Sequence, residues 1–143
     1  MSTITLDGHS LTRESLVAIA RGARVEVASA QWDAVQKAAD FIAEQVALQE
    51  PIYGVTTGFG SNANRLLGAH PVRADRDMAG LKLHEELQNN LIVTHAVCVG
   101  EPFASDVVRA MMAIRINTLL RGHSGIRVST LQSLVDLLNA DVV

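Results

Sequence analysis

The sequence is poor in cysteine, proline and aromatic residues. Its 143 residues include one cysteine, three prolines, one tryptophan, one tyrosine and three phenylalanines. A lone cysteine excludes an intramolecular disulfide. The segment from Met1 to Leu6 has neither the basic nor the apolar stretch of a secretory signal, so a cytoplasmic protein is expected.

Positive charge is not in excess either. Twelve lysines and arginines stand against fifteen aspartates and glutamates, a formal charge of −3, which excludes the basic character typical of nucleic-acid-binding proteins. No apolar run approaches the roughly 20 residues that span a bilayer, so no membrane partner is expected. No two of the five histidines are spaced i, i+4, and the chain has no second cysteine that could complete a metal-binding set. No metal site is therefore expected.

Apolar residues make up 48% of the chain and charged residues 19%. This composition predicts one folded domain over residues 1–143, with more apolar surface than a small monomer needs. Apolar residues recur at helical spacing, and Thr12, Ser29, Ser105 and Ser129 are candidate N-caps, so we predict a mainly α-helical domain of about five helices. The helices are placed at about 13–21, 29–50, 76–97, 105–121 and 129–138, with at most a short strand at 24–28.

Burial can also be predicted for several side chains. The fourth helix is apolar on more than one face between Val107 and Leu120, which predicts burial on nearly all sides. Because only short helices are available to cover it, we also expect association with other chains. Met111 and Met112 are interpreted as core residues, and Cys98 as a small buried side chain.

A long glycine-rich loop is predicted between Pro51 and Ala74, where helical periodicity disappears, and we expect it to be the most mobile segment. It contains Tyr-Gly-Val-Thr-Thr-Gly-Phe-Gly at residues 53–60, with the only tyrosine of the chain. A phosphate-binding loop is excluded, because it requires a strand before the glycines and a helix directly after them. The residues alone leave two interpretations: Tyr53 packs under a structural turn, or it acts as a general acid or base.

Residues 53–60 closely resemble the Tyr-Gly-Val-Asn-Thr-Gly-Phe-Gly loop of the histidine and aromatic amino acid ammonia-lyases. Two more stretches are similar to that family, in the same order along the chain. One joins Leu-Gln-Asn-Asn-Leu at 87–91 to His-Ala-Val-Cys-Val-Gly-Glu-Pro at 95–102. The other joins Val-Arg-Ala-Met-Met at 108–112 to Arg-Gly-His-Ser-Gly-Ile-Arg at 121–127. The resemblance therefore covers nearly the whole chain.

The resemblance implies a lyase with a protein-derived prosthetic group. In this family the substrate amine bonds to 4-methylideneimidazole-5-one (MIO), which forms from an Ala-Ser-Gly tripeptide, and ammonia leaves to give an α,β-unsaturated acid. The 143 residues contain no Ala-Ser-Gly. They are therefore expected to be the amino-terminal domain of a longer lyase, ending before that motif and inactive alone. Family members are tetramers, so a homo-oligomer is expected.

The resemblance also assigns roles to four residues. Tyr53 matches the base that removes a proton from the carbon β to the carboxylate, and Gly60 matches a loop glycine that lies against the substrate. Thr94 and His95 match the pair that contacts the substrate side chain, and they are nearest the Ser-His pair of histidine-type lyases. An imidazole contact suits a polar ring, because an apolar ring would leave buried nitrogens unpaired. Histidine is therefore the expected substrate, with a related aromatic amino acid as the alternative.

Other functions remain open on the same scaffold. A phenylalanine or tyrosine ammonia-lyase and an aromatic amino acid 2,3-aminomutase, which forms a β-amino acid, share the resemblance. A different class of function is a non-catalytic helical interaction module that has kept the scaffold and lost the chemistry. A reading frame that continues into Ala-Ser-Gly would exclude this last alternative.

Overall fold

The computed structural model of the chain describes residues 2–48, 50–58, 60, 86 and 88–142. In chain order, its elements are β1 (Thr3–Leu6), α1 (Arg13–Ala20), β2 (Arg24–Val27), α2 (Ser29–Ala47), α3 (residues 88–95), α4 (Ser105–Leu119) and α5 (Val128–Asn139). The predicted mainly helical fold is confirmed. The chain divides into two compact units: a core unit of Met1–Glu44 with Pro102–Val143, and a loop unit of Gln45–Glu101.

The first helix begins and ends where the sequence predicts. Thr12 has an extended backbone at the N-cap, and its side-chain oxygen accepts a hydrogen bond from the Ser15 amide at 3.1 Å. After the last turn, Gly22 has a φ of 101°. Glycine adopts this conformation without steric cost, so the chain can leave the helix sharply at this residue.

The core unit contains two short strands. β1 and β2 pair in parallel, with Ile4 opposite Val25 and Leu6 opposite Val27. The sequence predicts only the second strand, because β1 is defined by its pairing with the distant strand β2. The Asn139 side chain pairs with the backbone of Val25 like a further strand: its oxygen accepts from the amide at 2.8 Å and its nitrogen donates to the carbonyl at 2.9 Å.

One apolar cluster holds the core unit together. It is formed by residues of the sheet and of four helices: Leu6, Ile19, Val25, Val35, Ala113, Ile116, Leu119, Leu120, Leu131, Val135 and Leu138. The stripe predicted for α5 is confirmed, since Leu131, Val135 and Leu138 are all buried. Burial of such side chains stabilises the fold by about 1.5–3 kcal/mol each before entropy is counted.

A buried arginine connects three helices of the core unit. Arg109 on α4 is only 5% exposed. Its Nε donates to the carbonyl of Ile19 at 2.9 Å, its Nη1 to that of Leu138 at 2.8 Å and its Nη2 to that of Ala23 at 3.1 Å. Nη1 also pairs with the Asp141 carboxylate at 2.8 Å. The positive charge therefore lies at the C-terminal ends of α1 and α5, where it interacts favourably with the helix dipoles.

The prediction that α4 is buried on nearly all sides is wrong. Val107, Met111 and Ile114 are 43%, 54% and 48% exposed, whereas Ala113 and Ile116 are fully buried. The face toward the core includes the charged Arg109, so hydropathy does not distinguish it from the opposite face. Met111 is consequently not the core residue that was predicted, although Met112 packs against the core.

Three predicted helix caps are also wrong. The N-cap of α4 is Ala104 and that of α5 is Arg127, and neither makes a side-chain capping bond. Ser105 and Ser129 lie inside the first turns of these helices. α2 begins at Ser29 itself, so this serine is the first helical residue and not the cap that was predicted, and the helix ends at Ala47 rather than near residue 50.

The segment that follows α4 lies tightly against α2 at Gly122. Gly122 has a φ of 69°, and a Cβ atom placed on it would lie 2.8 Å from the carbonyl oxygen of Ala34. Only glycine gives both this conformation and this close approach of two backbones.

Several predictions fall partly outside the described residues. Residues 88–95 are helical, as predicted, while the earlier part of that helix lies outside the described range. Residues 51–58 contain turns and no helix, and most of the remaining predicted loop, with its expected mobility, is also outside the range.

Cys98 is exposed rather than buried. No described helix has the length and apolar character to cross a membrane.

Candidate active site

The Tyr53 loop is built on a compact backbone turn. The carbonyl of Ile52 accepts hydrogen bonds from the amides of Val55, Thr56 and Thr57 at 3.0, 3.0 and 3.2 Å. Gly54 lies inside this turn with a φ of 71°, in the left-handed region that glycine occupies readily. The turn therefore wraps residues 53–57 around a single backbone carbonyl, that of Ile52.

Two buried threonines support the turn from within. Thr56 and Thr57 are 5% and 2% exposed. The Thr56 hydroxyl donates to the carbonyl of Glu50 and accepts from the amide of Ile52. Because these buried hydroxyls are bonded to backbone of the same turn, they hold its shape without a distant partner. Sequence reasoning assigned them no role, although adjacent threonines among glycines favour such side-chain to backbone bonds.

Tyr53 and Gly60, two of the predicted site residues, are brought together by this loop. The Tyr53 side chain is 64% exposed, and its hydroxyl oxygen accepts a hydrogen bond from the Gly60 amide at 3.2 Å. The backbone N–H fixes the position of the phenol. It also stabilises negative charge that develops on the phenolic oxygen. The arrangement suits a hydroxyl that exchanges a proton with an outside molecule.

Thr94 and His95, the other predicted pair, lie at the C-terminal end of α3 and are exposed. The Thr94 hydroxyl lies 2.7 Å from the carbonyl of Asn90 and 3.1 Å from that of Leu91. His95 Nδ1 lies 2.8 Å from the Leu91 carbonyl and 3.2 Å from Thr94 Oγ1. Both side chains are therefore anchored on the last turn of their own helix.

The four predicted residues thus form two local pairs in the loop unit. Tyr53 is hydrogen-bonded to Gly60, and Thr94 is within hydrogen-bonding distance of His95. One pair offers a positioned hydroxyl and the other an imidazole ring. Among the described residues, no group of three or more histidine, cysteine, aspartate or glutamate side chains could hold a metal ion. The hydroxyl of Tyr53 and the imidazole of His95 are groups that can transfer protons and form hydrogen bonds.

Comparisons with known proteins identify the family of the chain. Residues 11–143 match the aromatic amino acid lyase family. Histidine ammonia-lyase of Streptococcus gordonii is 42% identical over 141 residues, covering 98% of this chain and 25% of that enzyme. The chain therefore spans about a quarter of the length of the curated relatives it matches.

Similar solved structures indicate the same family. Tyrosine aminomutase from Streptomyces globisporus has a TM-score of 0.78 at 34% identity, covering 96% of this chain and 24% of that one. Histidine ammonia-lyase from Trypanosoma cruzi has a TM-score of 0.75 at 35% identity, covering 98% and 25%. The resemblance inferred from residues 53–60, 87–102 and 108–127 is confirmed. This chain belongs to the aromatic amino acid lyase family.

Proposed function

We propose that residues 1–143 are the amino-terminal, base-bearing domain of an ammonia-lyase that converts histidine to its α,β-unsaturated acid. The observation that carries this proposal is the Tyr53 hydroxyl, which is exposed and hydrogen-bonded to the Gly60 amide within the family's loop. In the proposed reaction Tyr53 removes a proton from the carbon β to the carboxylate, while Gly60 lies against the substrate. Ammonia then leaves from the neighbouring carbon.

A tyrosine alone cannot drive this reaction. The C–H bond is only weakly acidic, so its cleavage needs electron withdrawal from the substrate as well as a positioned base. MIO, formed elsewhere from an Ala-Ser-Gly tripeptide that these 143 residues lack, supplies that withdrawal when present. The exposed Tyr53 hydroxyl fits a site shared with such a group, because it is accessible from outside the turn that holds it.

Thr94 and His95 support histidine as the substrate. Their polar atoms are exposed at the end of α3, where they can contact a polar ring. An apolar ring at the same place would remove water from the imidazole nitrogen without replacing its hydrogen bond, at a cost of about 1–3 kcal/mol. The 42% identity to a histidine ammonia-lyase favours the same substrate.

A homotetramer in the cytoplasm is part of the proposal. The exposed stripe of Val107, Met111 and Ile114 on α4 supports association between chains, because apolar side chains at i, i+4 and i+7 form one continuous face. The single cysteine of the sequence is consistent with a reducing compartment.

An aminomutase is the second candidate, because a tyrosine aminomutase is among the similar solved structures, with a TM-score of 0.78 over 96% of this chain. An aminomutase would return the amine to the β carbon instead of releasing ammonia.

The product distinguishes these functions. We expect the complete protein that contains this chain to release ammonia and urocanate from histidine, and the 143-residue chain alone to release neither. Formation of a β-amino acid from tyrosine would favour the aminomutase. Turnover of no aromatic amino acid by the complete protein would favour a non-catalytic interaction module.

A further inference from the structure

A proline interrupts backbone hydrogen bonding shortly before Tyr53. Pro51 has no amide hydrogen, and a proline disfavours helical backbone at the residue before it, here Glu50. The Glu50 carbonyl and the Ile52 amide lie on either side of this residue. Both are hydrogen-bonded to the same atom, the hydroxyl oxygen of Thr56. One side chain thus joins the backbone before the proline to the backbone after it.

The Thr56 hydroxyl uses both of its hydrogen-bonding functions in this bridge. It donates its one hydrogen to the Glu50 carbonyl and accepts from the Ile52 amide at 2.7 Å. Because Thr56 is only 5% exposed, loss of the hydroxyl would leave both backbone groups short of a partner that water does not readily replace. The neighbouring Thr57 hydroxyl makes longer contacts, 3.3 Å to the Ile52 carbonyl and 3.2 Å to the Gly58 carbonyl. Thr56 is therefore the stronger of the two links.

The bridge sets the backbone from which Tyr53 projects. Ile52 directly precedes Tyr53, and its amide is held by Thr56 while its carbonyl accepts the three amides of the turn. The Gly60 amide donates to the Tyr53 hydroxyl at 3.2 Å, so a displacement of Ile52 would move the phenol away from that amide. A displacement of about 1 Å at a reacting group can cost roughly 100-fold in rate.

Position 56 is also where residues 53–60 differ from the ammonia-lyase loop that they resemble, which has asparagine there. The roles that the resemblance assigns to Tyr53 and Gly60 therefore do not extend to Thr56. We infer that Thr56 is a positioning residue, whose hydroxyl joins the backbone on both sides of Pro51 and thereby holds Tyr53 within reach of the Gly60 amide. The effect on turnover rests on the proposed function, whereas the hydrogen bonds of the turn do not.

Three variants of the complete protein separate the hydroxyl of Thr56 from the shape of its side chain. Thr56→Val removes the hydroxyl and keeps the shape, and Thr56→Ala removes it without adding an apolar branch. The matched control is Thr56→Ser, which retains a hydroxyl. Since two variants lack the hydroxyl, the test does not depend on the folding of one of them.

The bridge is tested without reference to activity by hydrogen exchange, measured by mass spectrometry on the peptide that covers residues 50–60. We expect the amides of the turn to exchange roughly 5- to 100-fold faster in Thr56→Val and Thr56→Ala, because their local opening no longer breaks the bridge. Exchange in Thr56→Ser should stay within about twofold of the parent protein. Unchanged exchange in the two variants without a hydroxyl would overturn the inference.

The effect on the base is tested by a double-mutant cycle with Tyr53→Phe. We expect Thr56→Val alone to lower kcat by about 10- to 100-fold with KM within about threefold, because the base is displaced while substrate binding persists. Thr56→Ser should retain kcat within about threefold. In the Tyr53→Phe background, Thr56→Val should have almost no further effect, because the hydroxyl that it positions is already absent. A merely structural role would lower kcat by the same factor in both backgrounds, and that result would overturn the inference.

The outcomes also distinguish this inference from the proposed function. If Tyr53→Phe lowers kcat and Thr56→Val does not, Tyr53 remains the base and only the role of Thr56 is lost. If Tyr53→Phe leaves kcat unchanged, the proposed function loses its base, and the positioning role of Thr56 is overturned with it.

Discussion

The core unit and the loop unit position their polar side chains in different ways. In the core unit, Arg109 bonds to groups 29 to 90 positions away in the sequence, and Asn139 bonds to a residue 114 positions away. The hydrogen bonds described for the loop unit join residues no more than seven positions apart, with Tyr53 to Gly60 the longest. A substitution in the first network should therefore weaken the fold, whereas one in the second should change the chemistry.

The largest stability effect is expected for Arg109→Leu. The leucine fills part of the space but leaves the carbonyls of Ile19, Ala23 and Leu138 without their charged donor, so we expect a loss of about 3–5 kcal/mol in the free energy of unfolding. Arg115→Leu on the same helix is the control, because this side chain is exposed, and it should change stability by about 0.5 kcal/mol at most. Chemical denaturation measures both, and equal losses would contradict the assignment of Arg109 as a cross-link.

The second test compares one glycine from each unit. Gly122 and Gly60 both have positive φ, at 69° and 55°, so alanine is strained at either site. Only at Gly122 would the new Cβ also meet backbone, 2.8 Å from the Ala34 carbonyl oxygen, while no described atom lies within 4 Å at Gly60. We expect Gly60→Ala to cost about 1 kcal/mol and Gly122→Ala about 2–3 kcal/mol in thermal unfolding. Equal costs would show that Gly122 does not approach the backbone of α2 tightly.

The smallest effect concerns a carboxylate of the core unit. Hydrogen bonds from the amides of Ser10 and His9 lower the pKa of Asp7 from 3.8 to about 2. Since the folded-state pKa is the lower one, this contribution is present above pH 3.8 and is lost as the pH falls toward 2. Melting temperatures should fall over this window in the parent protein and fall less in Asp7→Asn. If the melting temperatures of the two proteins depend on pH in the same way, Asp7 does not contribute to the loss of stability in acid.

The contrast between near and distant bonds also explains which features the sequence predicts. The Thr12 cap and the apolar stripe of α5 follow from neighbours within two turns, and both are found. The proximity of Tyr53 and Gly60 is a property of one short loop, so the motif already indicates it. Each of these features depends on local chain geometry.

Features that depend on distant residues are those the sequence does not predict. The carbonyls that surround Arg109 lie on two other helices and the segment after one of them, so nothing near residue 109 identifies its inward face. For the same reason hydropathy misassigns Met111 and overlooks β1, which is defined by its pairing with β2. The exposure of Cys98 likewise depends on what surrounds residues 96–100, which sequence periodicity does not describe.

The most direct test of the account is Tyr53→Phe in the complete enzyme, with kcat and KM measured for the same substrate. The substitution removes one exposed hydroxyl and keeps the ring, so the turn held by Thr56 and Thr57 should persist and the melting temperature should change little. If Tyr53 is the base, kcat should fall by about 10²- to 10⁴-fold with a much smaller change in KM, because the lost interaction occurs only in the transition state. A kcat within a few-fold of the parent enzyme would contradict the assignment of Tyr53 as the base.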